Sequence, residues 1–594
     1  MRDPRRWRSE SLYLLALPLL AFLTTLPLLL HGCSCGHDFG FHLQSWLDAA
    51  AQLRHGTLDP AWTYSAAWNA GEPRFLFYPP LSWMLGAALT LSLPISATPL
   101  VFTWLALLGA GLAMYRLARA FVSPPIALLA SAIYIANPYM LFTAFERTAY
   151  GELLAAAWLP LLLLAALRRK PTIPGLAIPL ALLWLTNAPA AVIGVYTLIA
   201  IAIIRCITLF LRKPHPTEPT RTHESLTLLT RFAAGGALGL ALPAFYLLPA
   251  AYERRYVQVA MAIIPNMRFQ DNFLFGHTGD APHDAVLRTA SLLAISLLAA
   301  TSAVLLSAWL LNRRKRNHAK PLDAGAETIP ATLAVLALLT AIIAFLLTPL
   351  STLVWQHLPE LAFLQFPWRL LFLLGAILAL AVALLFFRAK TPIRAFAITS
   401  VTLALALAAC ASTWGISEFR QSCELSDIPT TRAQLFRTHH GAAPTDEYTP
   451  TNADNDVLRW DDPGYWLSPA PSAFAPGTVP NPAATIVNYD APHPLDQTIS
   501  GLAPHRLDLH LIQSETLVLN LRDYPAWQVT RNGSLLSNHL QRDDGLLAVA
   551  LPAGDSIIDI RWHRTWDQTL GDAVTLAALV VLAAALLRSR TIKT

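Results

Sequence analysis

The sequence predicts a polytopic α-helical membrane protein of about twelve spans, with a C-terminal extracytoplasmic β-rich domain. Three observations predict it. Of 594 residues, 55% are apolar and only 13% charged, with a mean hydropathy of +0.45; soluble domains hold about 45–50% apolar and about 25% charged residues. Apolar runs recur along most of the chain, and basic residues cluster between them. After residue 413 those runs stop, and Pro, Asp, Asn and Thr become frequent. The net charge of +6 would suggest a nucleic-acid partner in a soluble chain, but clustered this way it reads as inside loops. Five cysteines in so long a chain exclude a disulfide-built fold.

A span needs about 20 apolar residues, with shorter ones tolerated inside bundles. Spans are expected at about 11–30, 98–116, 124–142, 152–167, 173–187, 188–205, 232–250, 289–311, 330–348, 369–387, 394–413 and 570–587. The first follows Arg2, Arg5, Arg6 and Arg8, so its N-terminus is expected in the cytoplasm. It is read as a span rather than a signal peptide, being long and lacking a small-x-small cleavage site. Alternating sides from there puts 25 of the 43 Lys and Arg residues in cytoplasmic segments, including Arg168 to Lys170, Arg313 to Arg316 and Arg588 to Lys593. Both termini are then cytoplasmic. The run Pro79 to Pro94 is about 15 residues bounded by prolines; it is read as an interfacial helix, because a crossing there would put Arg116 and Arg119 outside.

The domains follow: a membrane domain over 1–413 with an outside first loop at 31–97, a β-rich domain at 414–568, and an anchor at 569–594. Strand patterns appear at Thr516 to Arg522, Trp527 to Thr530, Leu546 to Leu551 and Ser556 to Trp562, with Asn532-Gly533 as a hairpin turn. Residues 425–500 are proline-rich without a clear period, and Lys213 to Arg231 reads as a solvated connector.

Chemistry concentrates at the outer ends of the spans. The first loop opens His31-Gly-Cys-Ser-Cys-Gly-His37-Asp38-Phe-Gly-Phe-His42. Asp38, flanked by His37 and His42, stands where a carboxylate acts as a base or holds a cation. Aromatics then run from Trp62 to Tyr78, which suits sugar stacking and lipid headgroups, and equally a plain aromatic belt. Glu146, Arg147 and Glu152 share one short outer turn, and Arg369 closes Gln365-Phe-Pro-Trp-Arg369. Ionisable groups bordering a bilayer are costly, so they suggest function, with ion pairing as the alternative. An arginine there offers a planar fork of donors for a phosphate. Cys33-Ser-Cys35 with His37 and Asp38 matches no zinc spacing; a disulfide of Cys423 with Cys33 or with Cys35 is open, and the sequence does not choose whether or which. No phosphate loop, dinucleotide fingerprint or serine-nucleophile elbow occurs.

Four motifs together carry a resemblance: His37-Asp38-Phe-Gly-Phe-His42, Phe77-Tyr78-Pro-Pro-Leu81, Gln365-Phe-Pro-Trp-Arg-Leu-Leu371 and Tyr524-Pro-Ala-Trp-Gln-Val529. In this order they resemble a family of bacterial membrane proteins catalogued as 6-pyruvoyl-tetrahydropterin synthase-related, although nothing here resembles the soluble three-histidine zinc enzymes of that name. More broadly, the layout is similar to the C-superfamily (GT-C) of membrane glycosyltransferases. That resemblance implies a bacterial inner-membrane enzyme taking a sugar from a polyprenyl-phosphate-linked donor at the outer leaflet. An envelope glycan, lipid or protein is the implied acceptor. It aligns Asp38 with the catalytic carboxylate, with Glu152 as a second acidic candidate. His37, His42, Tyr78, Arg147 and Arg369 become substrate-binding candidates. The superfamily often carries an acidic pair where His37-Asp38 stands here, which leaves a divalent cation open as the cofactor.

Two readings follow. In the first, the chain is a glycosyltransferase with Asp38 as its base. In the second, it is a non-catalytic envelope-glycan assembly or transport protein on the same scaffold, and Asp38 is dispensable. An ion-coupled transporter would place its charges at mid-membrane, whereas these lie at outer ends.

Overall fold

A helix rises about 1.5 Å per residue, so about 20 apolar residues cross a hydrocarbon core of about 30 Å. In the computed structural model, which describes residues 4–211, 221–313, 323, 325, 327–387, 393–419, 423–469, 488–490 and 501–591, eight helices meet that requirement by length and composition, or ten if each of two bent pairs is one span. The expected spans at 152–167 and 173–187 fall on the shorter apolar helices Tyr150–Ala166 and Ile173–Thr186. The second rises only about 21 Å, less than an upright crossing. Helix Pro80–Ser92 has 13 residues and packs beside the first-loop helix Phe39–Arg54, so the run read as interfacial is a short helix. Residues 213–220 of the connector read at Lys213 to Arg231, and much of the proline-rich stretch to residue 500, lie outside the described residues; the rest of that connector is not a loop but the start of helix Arg221–Ala241.

The bends have sequence causes. Pro124–Ile135 and Pro138–Glu146 meet at 46°, where Pro138 pushes Asn137 out of the helical region and the Asn137 side chain accepts from Met140 N to start the next helix. That helix then widens into a π turn over Phe142–Glu146 and stops at Arg147 and Thr148, the latter at φ 46°. His223–Ala241 and Ala244–Tyr256 meet at 74°, with Pro243 at the corner.

The β region holds two antiparallel sheets, ordered β1-β4-β7 and β2-β3-β8-β5-β6. The strands are β1 (Tyr465–Pro469), β2 (Asn488–Asp490), β3 (Arg506–Leu511), β4 (Glu515–Arg522), β5 (Trp527–Arg531), β6 (Ser534–Leu536), β7 (Leu546–Leu551) and β8 (Gly554–Trp562). All four expected strand patterns are strands. Asn532 (φ 50°) and Gly533 (φ 80°) make the tight turn between β5 and β6, which needs positive φ at both central positions. Leu517, Leu519 and Leu521 of β4 share a core with Leu507, Val529 and Ile560 of the other sheet. The opposite face of β4 meets Ala67 and Ala70 of the first loop. Covered on both faces, β4 is buried along its whole length, including its polar Glu515, Thr516, Asn520 and Arg522.

The β region and the first loop are one packed unit, on one side of the bundle. Trp62 of the loop sits in the sandwich core, and Arg522 N donates to Ala70 O. Residues 423–450 form a strap across the loop rather than part of a sheet. Cys423 is disulfide-bonded to Cys35, with Cα atoms 5.4 Å apart, which selects between the two pairings the sequence leaves open. Farther along, Ala442 N donates to Ser65 O and Trp68 N to Ala442 O. Tyr448 stacks on Phe77 at 5.8 Å.

Candidate functional site

Asp38 precedes helix Phe39–Arg54, and the backbone fixes it there. His37 N donates to Glu146 O at 3.3 Å and Asp38 N to Arg147 O at 2.9 Å. The segment 36–38 therefore lies along the end of the π turn. Only glycine fits at 36, since a Cβ would overlap the Glu146 carbonyl and stand 2.8 Å from Phe145 O. Helix Phe39–Arg54 is anchored in turn by buried polar bonds. Asp48 accepts from Ser65 N and Oγ (both 2.8 Å) and from Gln52 Nε2 (2.8 Å), and burial raises its carboxyl above the usual range.

The Asp38 carboxylate is half-buried and has no hydrogen-bond or ion-pair partner among the described residues. Around it stand the other candidates. Arg147 Nη1 donates to Glu152 Oε2 at 2.7 Å, Tyr139 donates its hydroxyl to Glu152 Oε1 at 2.5 Å, and Arg369 Nε stands 4.0 Å from Glu152 Oε2. Both guanidiniums lie within Coulombic reach of Asp38. Tyr78 is reached by the charges of Asp38, Arg369, Arg147 and Glu152, and its ring meets His42 at 5.8 Å. Burial pushes the His42 imidazole down to about 4, so it is neutral at pH 7. His37 lies at the rim, half-exposed, with Nε2 3.7 Å from Glu146 Oε1. All seven residues singled out from the sequence thus converge on one place, from segments as far apart as 37 and 369.

Three buried nitrogens in this cluster, His42 Nε2, Trp368 Nε1 and Arg369 Nε, have no hydrogen-bond partner among the described residues. Buried polar groups are nearly always satisfied, so three together leave room in the bonding for the oxygens of a ligand. Trp368 also lies under Arg147, with Cζ 4.9 Å from its ring, and Phe366 under Arg369 at 5.0 Å.

No protein-family model and no curated protein sequence matches the chain. Solved structures do. The cryo-EM structure of the arabinofuranosyltransferase AftD from Mycobacteria aligns with 70% of this chain and 27% of its own, at 16% identity and TM-score 0.38. A mutant of the same enzyme gives 70%, 28%, 15% and 0.39. The chain thus spans about a quarter of those structures, and likeness at this level assigns neither activity nor substrate. The pterin synthase-related label gains no support from these matches.

Other residues of this region were given no site role from the sequence, although Glu72 and Arg74 stand out there as isolated charges among the first-loop aromatics. Tyr139 follows the helix-breaking Asn137-Pro138, but nothing local says its hydroxyl meets Glu152. Glu72 and Arg74 form a buried pair at 2.8 Å that reaches the strap, where Thr445 N donates to Glu72 Oε2 and Arg74 Nη2 to Thr445 Oγ1. The metal reading of the first loop loses Cys35 to its disulfide, and no group of three or more His, Cys, Asp or Glu able to hold a metal ion forms among the described residues.

Proposed function

We propose that this chain is a membrane glycosyltransferase of the C-superfamily kind, transferring a sugar from a polyprenyl-phosphate-linked donor to an envelope acceptor at the outer leaflet. One observation carries the reading: an unpartnered carboxylate, Asp38, lies within Coulombic reach of a buried Arg147 and a largely buried Arg369, both of which are grouped around a single carboxylate, Glu152. A phosphodiester donor brings one negative charge, and cleavage of its sugar–oxygen bond leaves a phosphate monoester with more. Arg147 and Arg369 are placed to neutralise that developing charge in a water-poor setting, where such donors act most strongly. Asp38 accepts the proton of the acceptor hydroxyl as that oxygen bonds to the anomeric carbon. Glu152, with both oxygens engaged, serves to position the arginines, and neutral His42 and Tyr78 border the sugar. A cation is a poor fit beside two guanidiniums, and no group of three or more His, Cys, Asp or Glu able to hold a metal ion forms among the described residues.

The topology that goes with this reading places both termini in the cytoplasm and the β region outside, at a bacterial inner membrane. A disulfide between the first loop and the strap agrees with an oxidising outer compartment.

Purified protein in nanodiscs, given a panel of polyprenyl-phosphate sugars, tests the proposal. Sugar release or transfer by the wild type, lost in a folded Asp38→Asn variant, supports it. Binding without turnover, equal in both proteins and across an acceptor panel, moves the assignment to a non-catalytic assembly protein.

A further inference from the structure

Arg74 of the first loop is 2% exposed, and its guanidinium ties three segments together. Nε donates to Glu72 Oε1 at 2.8 Å. Nη1 donates to Ser45 Oγ at 3.0 Å and to Phe41 O at 3.4 Å, both on the helix after Asp38. Nη2 donates to Thr445 Oγ1 of the strap at 3.1 Å, and Thr445 N in turn donates to Glu72 Oε2 at 3.0 Å. The Arg74 Cζ also stands 4.3 Å from the centre of the Phe41 ring, within cation–π range. That ring meets Tyr78 at 5.0 Å and His42 at 5.6 Å. Phe41 and His42 lie three and four residues after Asp38, the spacing that makes side chains neighbours on one face of a helix. His42 N donates to Asp38 O at 3.1 Å, and the charge of Asp38 reaches both His42 and Tyr78.

Building on the glycosyltransferase reading, we propose that Arg74 is the positioning residue of a sugar-binding wall made of Phe41, His42 and Tyr78, and that Thr445 lets the strap set that wall. Stability alone does not call for a charged pair here, since apolar residues of similar volume often replace a buried ion pair without loss. A planar fork does what they would not: it bonds one helical turn, one ring and one strap residue in fixed directions at once. Held from behind by the guanidinium, the Phe41 ring keeps Tyr78 and His42 from turning away, and rings fixed before binding cost a sugar less to order. The phosphate is left to Arg147 and Arg369. Arg74 therefore acts on affinity for the sugar and not for the lipid phosphate, and it does so through Phe41, without touching the substrate.

The test measures Kd for two lipids on the full chain in nanodiscs: the tightest-binding member of a panel of polyprenyl-phosphate sugars, and polyprenyl phosphate without a sugar. Arg74→Lys keeps the charge and loses the fork, so Kd for the sugar-bearing lipid is expected to rise about tenfold, with bare polyprenyl phosphate changed less than about twofold. Thr445→Val removes one hydrogen bond and is expected to raise the sugar-bearing Kd about fivefold, while Thr445→Ser, which keeps the hydroxyl, stays near wild type. The thermal midpoint and mass spectrometry of the Cys35–Cys423 peptide establish that each variant is folded; if Arg74→Lys is not, the two Thr445 variants decide. Equal losses for both lipids in folded variants overturn the proposal, because they mark a purely structural pair. So does an unchanged Kd for the sugar-bearing lipid, or a Thr445→Ser protein as weak as Thr445→Val. A wild type that binds both lipids equally has no sugar wall and overturns it too. One that binds neither lipid instead sinks the glycosyltransferase reading beneath it.

Discussion

Substituting Gly36 by alanine tests how Asp38 is placed. The new Cβ would stand 2.8 Å from Phe145 O and overlap the Glu146 carbonyl, whereas ordinary contact begins at 3.4 Å. The obstacle is backbone, not the tip of a flexible side chain, so segment 36–38 and the π turn must separate by at least about 0.6 Å, the difference of those distances. The separation strains the bonds His37 N to Glu146 O and Asp38 N to Arg147 O, which set the carboxylate against the arginines. Overpacking of this kind costs about 1–3 kcal/mol of stability. A misplacement approaching 1 Å costs roughly a hundredfold in rate, so a loss of about tenfold to a hundredfold in sugar transfer is expected. The assay is turnover of the polyprenyl-phosphate sugar in nanodiscs, with the thermal midpoint measured in parallel. A Gly36→Ala protein with wild-type turnover and midpoint would refute the close-approach argument, because no flexible group is there to absorb the added atom.

Four further outcomes are expected. Glu152→Gln leaves Arg147 and Arg369 buried without their shared carboxylate, and breaking a buried pair costs about 3–5 kcal/mol, which denaturant unfolding in detergent will report as a lower midpoint. Arg369→Lys keeps the charge but loses the planar fork, so the Kd for a polyprenyl-phosphate sugar should rise with little change in unfolding; an unchanged Kd removes Arg369 from the donor site. Cys35→Ser or a reductant opens a link across 388 residues of sequence, lowering stability by about 2–5 kcal/mol, and limited proteolysis should then cut first in the strap. The hydrogen bond that His539 donates to the Asp523 carboxylate raises the His539 pKa above its usual 6.5, so the protonated imidazole stabilises the fold. That contribution is complete below about 6.5 and fades as pH rises through the folded-state value. The difference in thermal midpoint between wild type and His539→Asn should therefore be largest near pH 5.5 and shrink toward pH 8.5; a difference that grows instead contradicts the assignment.

Much of the architecture was legible because it rests on local pattern. The β4 run Thr516 to Arg522 and the Asn532-Gly533 turn are decided by alternation and by positive φ, both readable from neighbours in sequence. The span count was less so. Ile173–Thr186 is apolar enough to resemble a crossing, but its length is set by Thr172, whose side chain caps the start, and by Asn187, where the chain turns extended. The candidate site was legible residue by residue from cost: charges at the border of a bilayer need a reason. Its partnerships were not, since Tyr139, Glu152 and Arg369 come from three separate segments.

By itself, the sequence determined that this is a membrane-embedded helical chain with a β-rich C-terminal region, because burial preferences and strand alternation act over a few residues at a time. Only the tertiary structure decided that Cys35 rather than Cys33 meets Cys423, that the strap closes over the first loop, and that Glu152 gathers two arginines beside a free Asp38. Those outcomes depend on where distant segments pack, and the energy that selects them is shared among contacts hundreds of residues apart.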